Sequence, residues 1–240
     1  VLSVRKYEPE VNFDYKILFE DEHLAIIEKP PNLPVHPAGR FFFHTLLVHL
    51  KTQGFKVDLE AERKFFLVHR IDKETSGVLL LAKTKEACNL LTAQFRNRET
   101  EKYYLALVKG VPTQKEFVVD APIGKSAKNR IGLKMYPTPI ENGGLESLTT
   151  FKVLESRGDY SLLACYPKTG RQHQIRAHAE IAGYPLVGDK VYGLTEEDVL
   201  LLLEGHRELQ DELQSDASPE PVEDIATEAE QEADDHLQQP

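Results

Sequence analysis

Strand-like apolar runs in this chain are short, and they come in neighbouring pairs separated by turn residues. YKILFE (15–20) and HLAIIEKP (23–30) flank Asp21-Glu22, while TTFKVLESRG (149–158) and YSLLACYPKTG (160–170) meet at Gly158-Asp159. Connections that tight fit antiparallel hairpins, because a parallel crossover needs a dozen or more residues. GVLLLAKT (77–84) reads as a buried strand and KYYLALVKG (102–110) as an alternating one. Helical periods fall between the pairs. HTLLVHLKTQG (44–54) ends at Gly54, TKEACNLLTAQFRNRE (84–99) has Thr84 as its cap, and RQHQIRAHAEIAG (171–183) closes at Gly183. The pattern predicts an α+β fold: a mixed, largely antiparallel central sheet flanked by helices, with a cleft across it.

No apolar run approaches the ~18 residues of a membrane span; GVLLLA (77–82) and VLLLL (199–203) are the longest candidates. The first residues, VLSVRKYEPEV, lack the basic flank and apolar segment of a signal peptide. Cys88 and Cys165 are the only cysteines, too few for a disulfide framework or a four-cysteine zinc site. These features predict a soluble, cytoplasmic protein.

The formal charge of −10 is unevenly placed. Residues 195–240 hold 16 acidic side chains and one basic one, Arg207, a net −15; residues 1–194, with 28 basic and 23 acidic, carry +5. A mildly basic body is compatible with a polyanionic partner. SDASPEPVEDIATEAEQEADDHLQQP (215–240) has no aromatic residue and three prolines, the composition of a disordered tail. TEEDVLLLLEGHRELQDELQ (195–214), with Thr195 at its cap and acids in its first turn, predicts a helix. The expected layout is an N-terminal extension (1–14), one domain (15–194), a C-terminal helix (195–214) and the acidic tail (215–240).

Three segments carry side chains suited to chemistry. In VHRIDKETSG (68–77), Arg70 and Asp72 are two apart and share a face if the chain is extended. A guanidinium near a carboxylate favours its charged form, as a nucleophile or base requires; the same pair could equally brace a turn. In KTGRQHQIRAH (168–178), Arg171, His173 and Arg176 cluster where a helix begins. His173 and His178 are five apart and diverge by ~140° on a helix, which disfavours a shared metal. In EKYYLALVKG (101–110), alternation puts Lys102, Tyr104, Ala106 and Val108 on one face and Tyr103, Leu105 and Leu107 on the other. Tyr104 can be a core residue or a platform for an unpaired base.

Together and in this order the segments resemble the RluA-type pseudouridine synthases. ILFEDEHLAIIEKPPNLPVHP (17–37) is similar to the family's opening strand pair and K-P-x-x-x-x-V-H-P loop, and HRIDKETSGVLLLAKT (69–84) to its catalytic motif. EKYYLALVKG, GRQHQIRAHAEIAGYPLVGD (170–189) and GDKVYG (188–193) follow in the family's order, so five motifs spread over about 180 residues. Ile71 and Lys73 stand where Leu and Arg are commoner, and the loop AGRFFFHTLLVHL (38–50) is less general.

The resemblance implies a pseudouridine synthase fold and the isomerisation of uridine to pseudouridine in structured ribosomal or transfer RNA. No cofactor and no metal are implied, and a monomer is expected. The catalytic aspartate falls on Asp72. Arg70 matches the arginine that fills the space left by the flipped uridine, and Tyr104 the aromatic that packs on the base. Arg171 matches the basic partner of the aspartate, and Ile175 an apolar residue lining the pocket. Many family members carry an S4 RNA-binding domain ahead of this region; with about 16 residues before the first strand, none is expected here. Two other classes remain: a catalytically silent RNA-binding protein of the same fold, and a hydrolase acting on a ribosyl bond, although glycoside hydrolases normally need two carboxylates.

Overall fold

The computed structural model describes residues 8–52, 65–125, 131–132 and 134–215, residues 206–215 by backbone alone. The chain divides into two compact units between Gly193 and Leu194.

The first sheet of the larger unit comprises β1 (Lys16–Glu20), β2 (Leu24–Lys29), β3 (Phe66–Leu67) and β4 (Gly77–Ala82), in the order β1-β2-β4-β3. Asp21 makes the first turn, its Oδ1 accepting the N–H groups of His23 and Leu24 at 2.7 and 2.8 Å. Alternation along β2 turns Ala25, Ile27 and Lys29 inward, and Ala25 pairs with Leu81 and Ile27 with Leu79 of β4. The short helix α1 (Leu46–Thr52) adds Leu46 and Leu50, four apart on one face, to the same core. Helix α2 (Lys85–Arg96) follows β4 directly. Thr84 caps it as expected, its Oγ1 accepting the Ala87 N–H at 3.1 Å.

The second sheet comprises β5 (Tyr104–Lys109), β6 (Glu116–Asp120), β9 (Leu148–Arg157) and β10 (Tyr160–Pro167), in the order β5-β10-β9-β6. The two-residue strands β7 (Ile123–Gly124) and β8 (Tyr136–Pro137) pair separately. The alternation read in β5 holds: Ala106 and Val108 are buried, while Leu105 and Leu107 face solvent. Val119, Phe151, Leu163, Cys165 and Ala179 complete this core, the last from helix α3 (Gln174–Ile181). The outer edge of β5 is closed by the returning chain, with Lys109 N–H donating to Pro185 O and Val187 N–H to Leu107 O, both at 2.9 Å. Gly110 ends β5 at φ +96°, and a Cβ there would stand 2.9 Å from the Tyr184 ring, so only glycine fits without displacement.

The architecture is α+β, with one correction. The single mixed sheet expected from the sequence is two four-stranded sheets, and every strand pair among the described residues is antiparallel. Within the N-terminal extension expected over 1–14, the half-buried Val11 and Phe13 pack on the first core, and Asn12 N–H donates to Asn32 O at 3.1 Å.

In the smaller unit, helix α4 (Glu196–Ser215) covers the expected C-terminal helix, and Thr195 Oγ1 accepts the Asp198 N–H at 3.1 Å. The tail beyond Ser215, and Gly54 after α1, lie outside the described residues. No helix among the described residues is long and apolar enough to cross a membrane.

Candidate active site

A cavity of about 160 Å³ opens where the two sheets meet, and all five residues singled out in the sequence line it: Arg70, Asp72, Tyr104, Arg171 and Ile175. The first sheet contributes Arg70 and Asp72 through the loop between β3 and β4. The second contributes Tyr104 at the start of β5, and Arg171 and Ile175 around the start of α3. Tyr104 packs against both cores, so its ring sits at their junction.

The loop carrying Asp72 is held from below. Lys29 is fully buried, and its Nζ donates to the carbonyls of Pro30, Leu33 and Lys73 at 2.7, 2.9 and 3.0 Å. Burial pushes its pKa down to about 8, against the opposing charges of Glu74 and Asp72. Leu33 N–H also donates to Lys73 O at 3.1 Å, and Thr75 N–H to Asp72 O at 3.1 Å. Gly77 leaves the loop at φ +120°, a conformation side-chain-bearing residues rarely adopt. Alternation sends His69 the other way. It stacks on Phe95 of α2, and its Nε2 accepts the Leu80 N–H at 2.9 Å.

Arg176 is the partner of the Asp72 carboxylate. Its Nη1 donates to Asp72 Oδ2 at 3.1 Å, while Nε and Nη2 donate to Oδ2 and Oδ1 of Asp189 at 2.6 and 2.9 Å. Burial works against the guanidinium charge, but the bonds and charges of Asp189 and Asp72 outweigh it and push the Arg176 pKa up. Burial alone would likewise raise Asp189; the Arg176 fork and the N–H groups of Tyr192 and Val191 hold it below the usual carboxylate range. Arg171, which the family resemblance matches to the basic partner of the aspartate, lines the same cavity, and its Nε donates to Glu146 O at 3.0 Å. Arg70 makes no ion pair with Asp72, and its Nη1 donates to His36 Nε2 at 2.9 Å.

Around this centre the polar groups are tightly tied. His173 opens α3 in the left-handed conformation, φ 55°, with Nε2 3.8 Å from Asp72 Oδ2 and Nδ1 3.2 Å from the Tyr192 hydroxyl. Gln174 accepts from Arg171 N–H and Thr169 Oγ1 at 3.0 and 2.6 Å and donates to Leu148 O and Thr149 Oγ1, both at 3.0 Å. His178 accepts from Thr149 Oγ1 at 2.8 Å and donates to Ala121 O at 3.0 Å, which gives it a bracing role in the second core. Burial, reinforced by the Asp72 charge, raises the Tyr104 pKa and keeps its phenol protonated. Among the described residues no three histidine, cysteine or carboxylate side chains gather as a metal site would need.

Lys29, Gln174 and Asp189 lay inside quoted motifs, but nothing in a linear pattern assigns them partners. For Arg176 a signal was present. It stands with Arg171 and His173 in the cluster at the entry to this helix.

The carboxylate thus lies at a cavity between two sheets together with a half-buried tyrosine and a half-buried arginine. The chain belongs to the RNA pseudouridylate synthase family, whose profile matches residues 23–180, and it is of the RluA type that the motifs predicted. It is 43% identical over 183 residues to ribosomal large subunit pseudouridine synthase D of Nitrosomonas europaea, covering 76% of this chain and 51% of that protein. It is 34% identical over 192 residues to the mitochondrial tRNA pseudouridine(32) synthase of Saccharomyces cerevisiae, covering 79% of this chain and 40% of that one. The chain thus spans about half the length of the curated relatives it matches. The solved structure of human RNA pseudouridylate synthase domain containing 4 superposes with a TM-score of 0.58 at 32% identity, covering 73% of this chain and 68% of that one.

Proposed function

We propose that this chain isomerises uridine to pseudouridine within ribosomal or transfer RNA, with Asp72 as the reacting carboxylate. The observation that carries the reading is the Asp72 carboxylate in the cavity, bonded to Arg176 at 3.1 Å and sharing that cavity with Tyr104. The reaction breaks N1–C1′, turns the uracil and joins C5 to C1′; a proton leaves C5 and one is gained at N1. It is a redox-neutral isomerisation and requires no electron carrier. Asp72 serves either by attacking C1′ or the uracil ring, or by taking the 2′ hydrogen on the way to a glycal. Arg176 offsets the cost of holding the carboxylate charge in a partly desolvated site. Tyr104 stacks on the detached uracil and keeps it beside the ribose. Extruding a paired uridine costs a few kcal/mol, and Arg70 at the cavity mouth offsets part of that by filling the vacated position. Arg171 and Ile175 line the base pocket. The protein acts as a cytoplasmic monomer in this reading.

The test is incubation with RNA tritiated at uridine C5, scored for released tritium and for pseudouridine. Wild type should yield both, and Asp72→Asn, which keeps size and polarity but removes the charge, should yield neither while retaining its fold. Turnover in Asp72→Asn, with deamidation excluded, would move the chemistry to another group. Free uracil in place of pseudouridine would mark a ribosyl hydrolase, and RNA binding without either product a silent RNA-binding protein.

A further inference from the structure

The loop between the β2 strand and α1 carries three consecutive phenylalanines, and two of them are more than half exposed. Phe42 is 64% exposed and Phe43 51% exposed, their rings 5.0 Å apart and nearly perpendicular. The backbone beneath them is fixed. The Glu8 carboxylate accepts the N–H groups of Phe42, Phe43 and His44 at 2.7–2.8 Å, and His44 Nδ1 donates to Pro9 O at 2.8 Å. Ala38 and Phe41 exchange both backbone hydrogen bonds, at 2.9 and 3.1 Å. Two large apolar rings are therefore presented to water on a braced turn instead of folding back onto a core.

Phe41 and His36, in the same loop, contact the residues on either side of Asp72. Lys73 Nζ lies 5.1 Å over the Phe41 ring, and His36, at the start of the same loop, accepts the hydrogen bond of Arg70. The turn that presents the rings is thus tied to a stretch bearing Arg70 and Lys73; Glu74 pairs with Lys73 at 3.0 Å and lies 3.7 Å from Lys190, so three cations face one carboxylate there, and Glu8 is occupied by three N–H groups. We propose that Phe42 and Phe43 form a stacking platform for an unpaired base of the substrate RNA next to the target uridine. Every base has a π-face, so an aromatic pair accepts one without reading its sequence, and the rim cations favour the attached backbone. The inference rests on the RNA reading of the cleft and adds a structural requirement to it: the substrate must offer a single-stranded neighbour.

Binding of the full chain to a fluorescent single-stranded oligouridylate, and to a blunt RNA duplex of equal length, tests this by anisotropy. Phe42→Ala/Phe43→Ala should weaken single-strand binding about tenfold or more and duplex binding less than about twofold. The slope of log affinity against log salt should stay the same, since no phosphate contact is lost. Phe42→Tyr/Phe43→Tyr should restore binding and Phe42→Leu/Phe43→Leu should not; both positions are exposed, so thermal stability should be unchanged. Unaltered single-strand affinity in the alanine variant overturns the proposal, as does an equal loss on duplex or rescue by leucine. Self-association of the wild type that disappears in the variant would also overturn it, assigning the rings to contact between copies. Pseudouridine formation by the same wild-type sample separates the two readings: if it proceeds while the rings prove immaterial, only this inference fails, and if it never occurs, the function itself is at fault.

Discussion

Arg176 shares its three donor groups unequally, two bonds to Asp189 and one to Asp72. A guanidinium forked onto Asp72 would lock that carboxylate; with Asp189 taking the fork, Asp72 receives a single end-on bond and keeps lone pairs for the reaction proposed above. Asp189→Asn should therefore release Arg176, lowering kcat strongly with little change in KM, and cost about 2 kcal/mol of stability for the lost charged hydrogen bonds. A wild-type kcat in that variant would show that Arg176 needs no such tether. Tyr104 separates in the same way. Tyr104→Phe keeps the stacking face and should retain RNA binding, while completing the reaction poorly if the hydroxyl assists at C5. Tyr104→Ala should lose both binding and turnover. Wild-type activity in Tyr104→Ala would reduce the tyrosine to a packing residue at the junction of the two cores.

At the scale of single elements, strand β4 depends on a titratable acceptor. His69 Nε2 accepts the Leu80 N–H, and burial, reinforced by the Lys102 charge, pushes its pKa down to about 4. The folded pKa lies below the unfolded value near 6.5, so the neutral ring stabilises the fold fully above pH ~6.5, and that contribution is lost as pH falls from about 6.5 to about 4. The loss amounts to roughly 3 kcal/mol at its limit. Urea midpoints across this window should fall more steeply for wild type than for His69→Gln, and parallel curves would remove His69 from the account.

Elements of this kind were legible where local physics decides them. Thr84 at the cap of α2, the Asp21 turn and the alternation of β5 depend on neighbours within a few residues, and the sequence predicted each of them. The division into two sheets was not legible, because strand order depends on contacts between residues far apart in the chain. The same limit explains Arg171 and Arg176. Both lie at the start of α3, and which of them meets Asp72 is decided by Asp189, thirteen residues further on, returning along the edge of β5. A motif names the participants; the returning chain assigns their partners.

For the whole molecule the uneven charge has a measurable consequence. Residues 195–240 carry −15 against +5 for the rest. RNA affinity gained through cations falls with salt, and a tethered polyanion competes for the same cations. Deleting residues 215–240 should tighten binding to arbitrary RNA at low salt, with the difference shrinking as salt rises and single-turnover rates at saturating enzyme unchanged. Equal affinities across the salt series would leave the acidic segment a solubility device.

The cavity at the meeting of the two sheets also determines how activity can be lost. Asp72 is supplied by residues 16–82 of the first sheet, while Tyr104 and Arg176 come from the second sheet and the helix after it. In the proposed reaction the two sheets form a logical conjunction: neither half alone holds all three side chains, and whichever sheet loosens first would silence the other. Drift in the sequence must then be tolerated jointly, since a change that relaxes one sheet leaves the chemistry of its neighbour intact but without a counterpart.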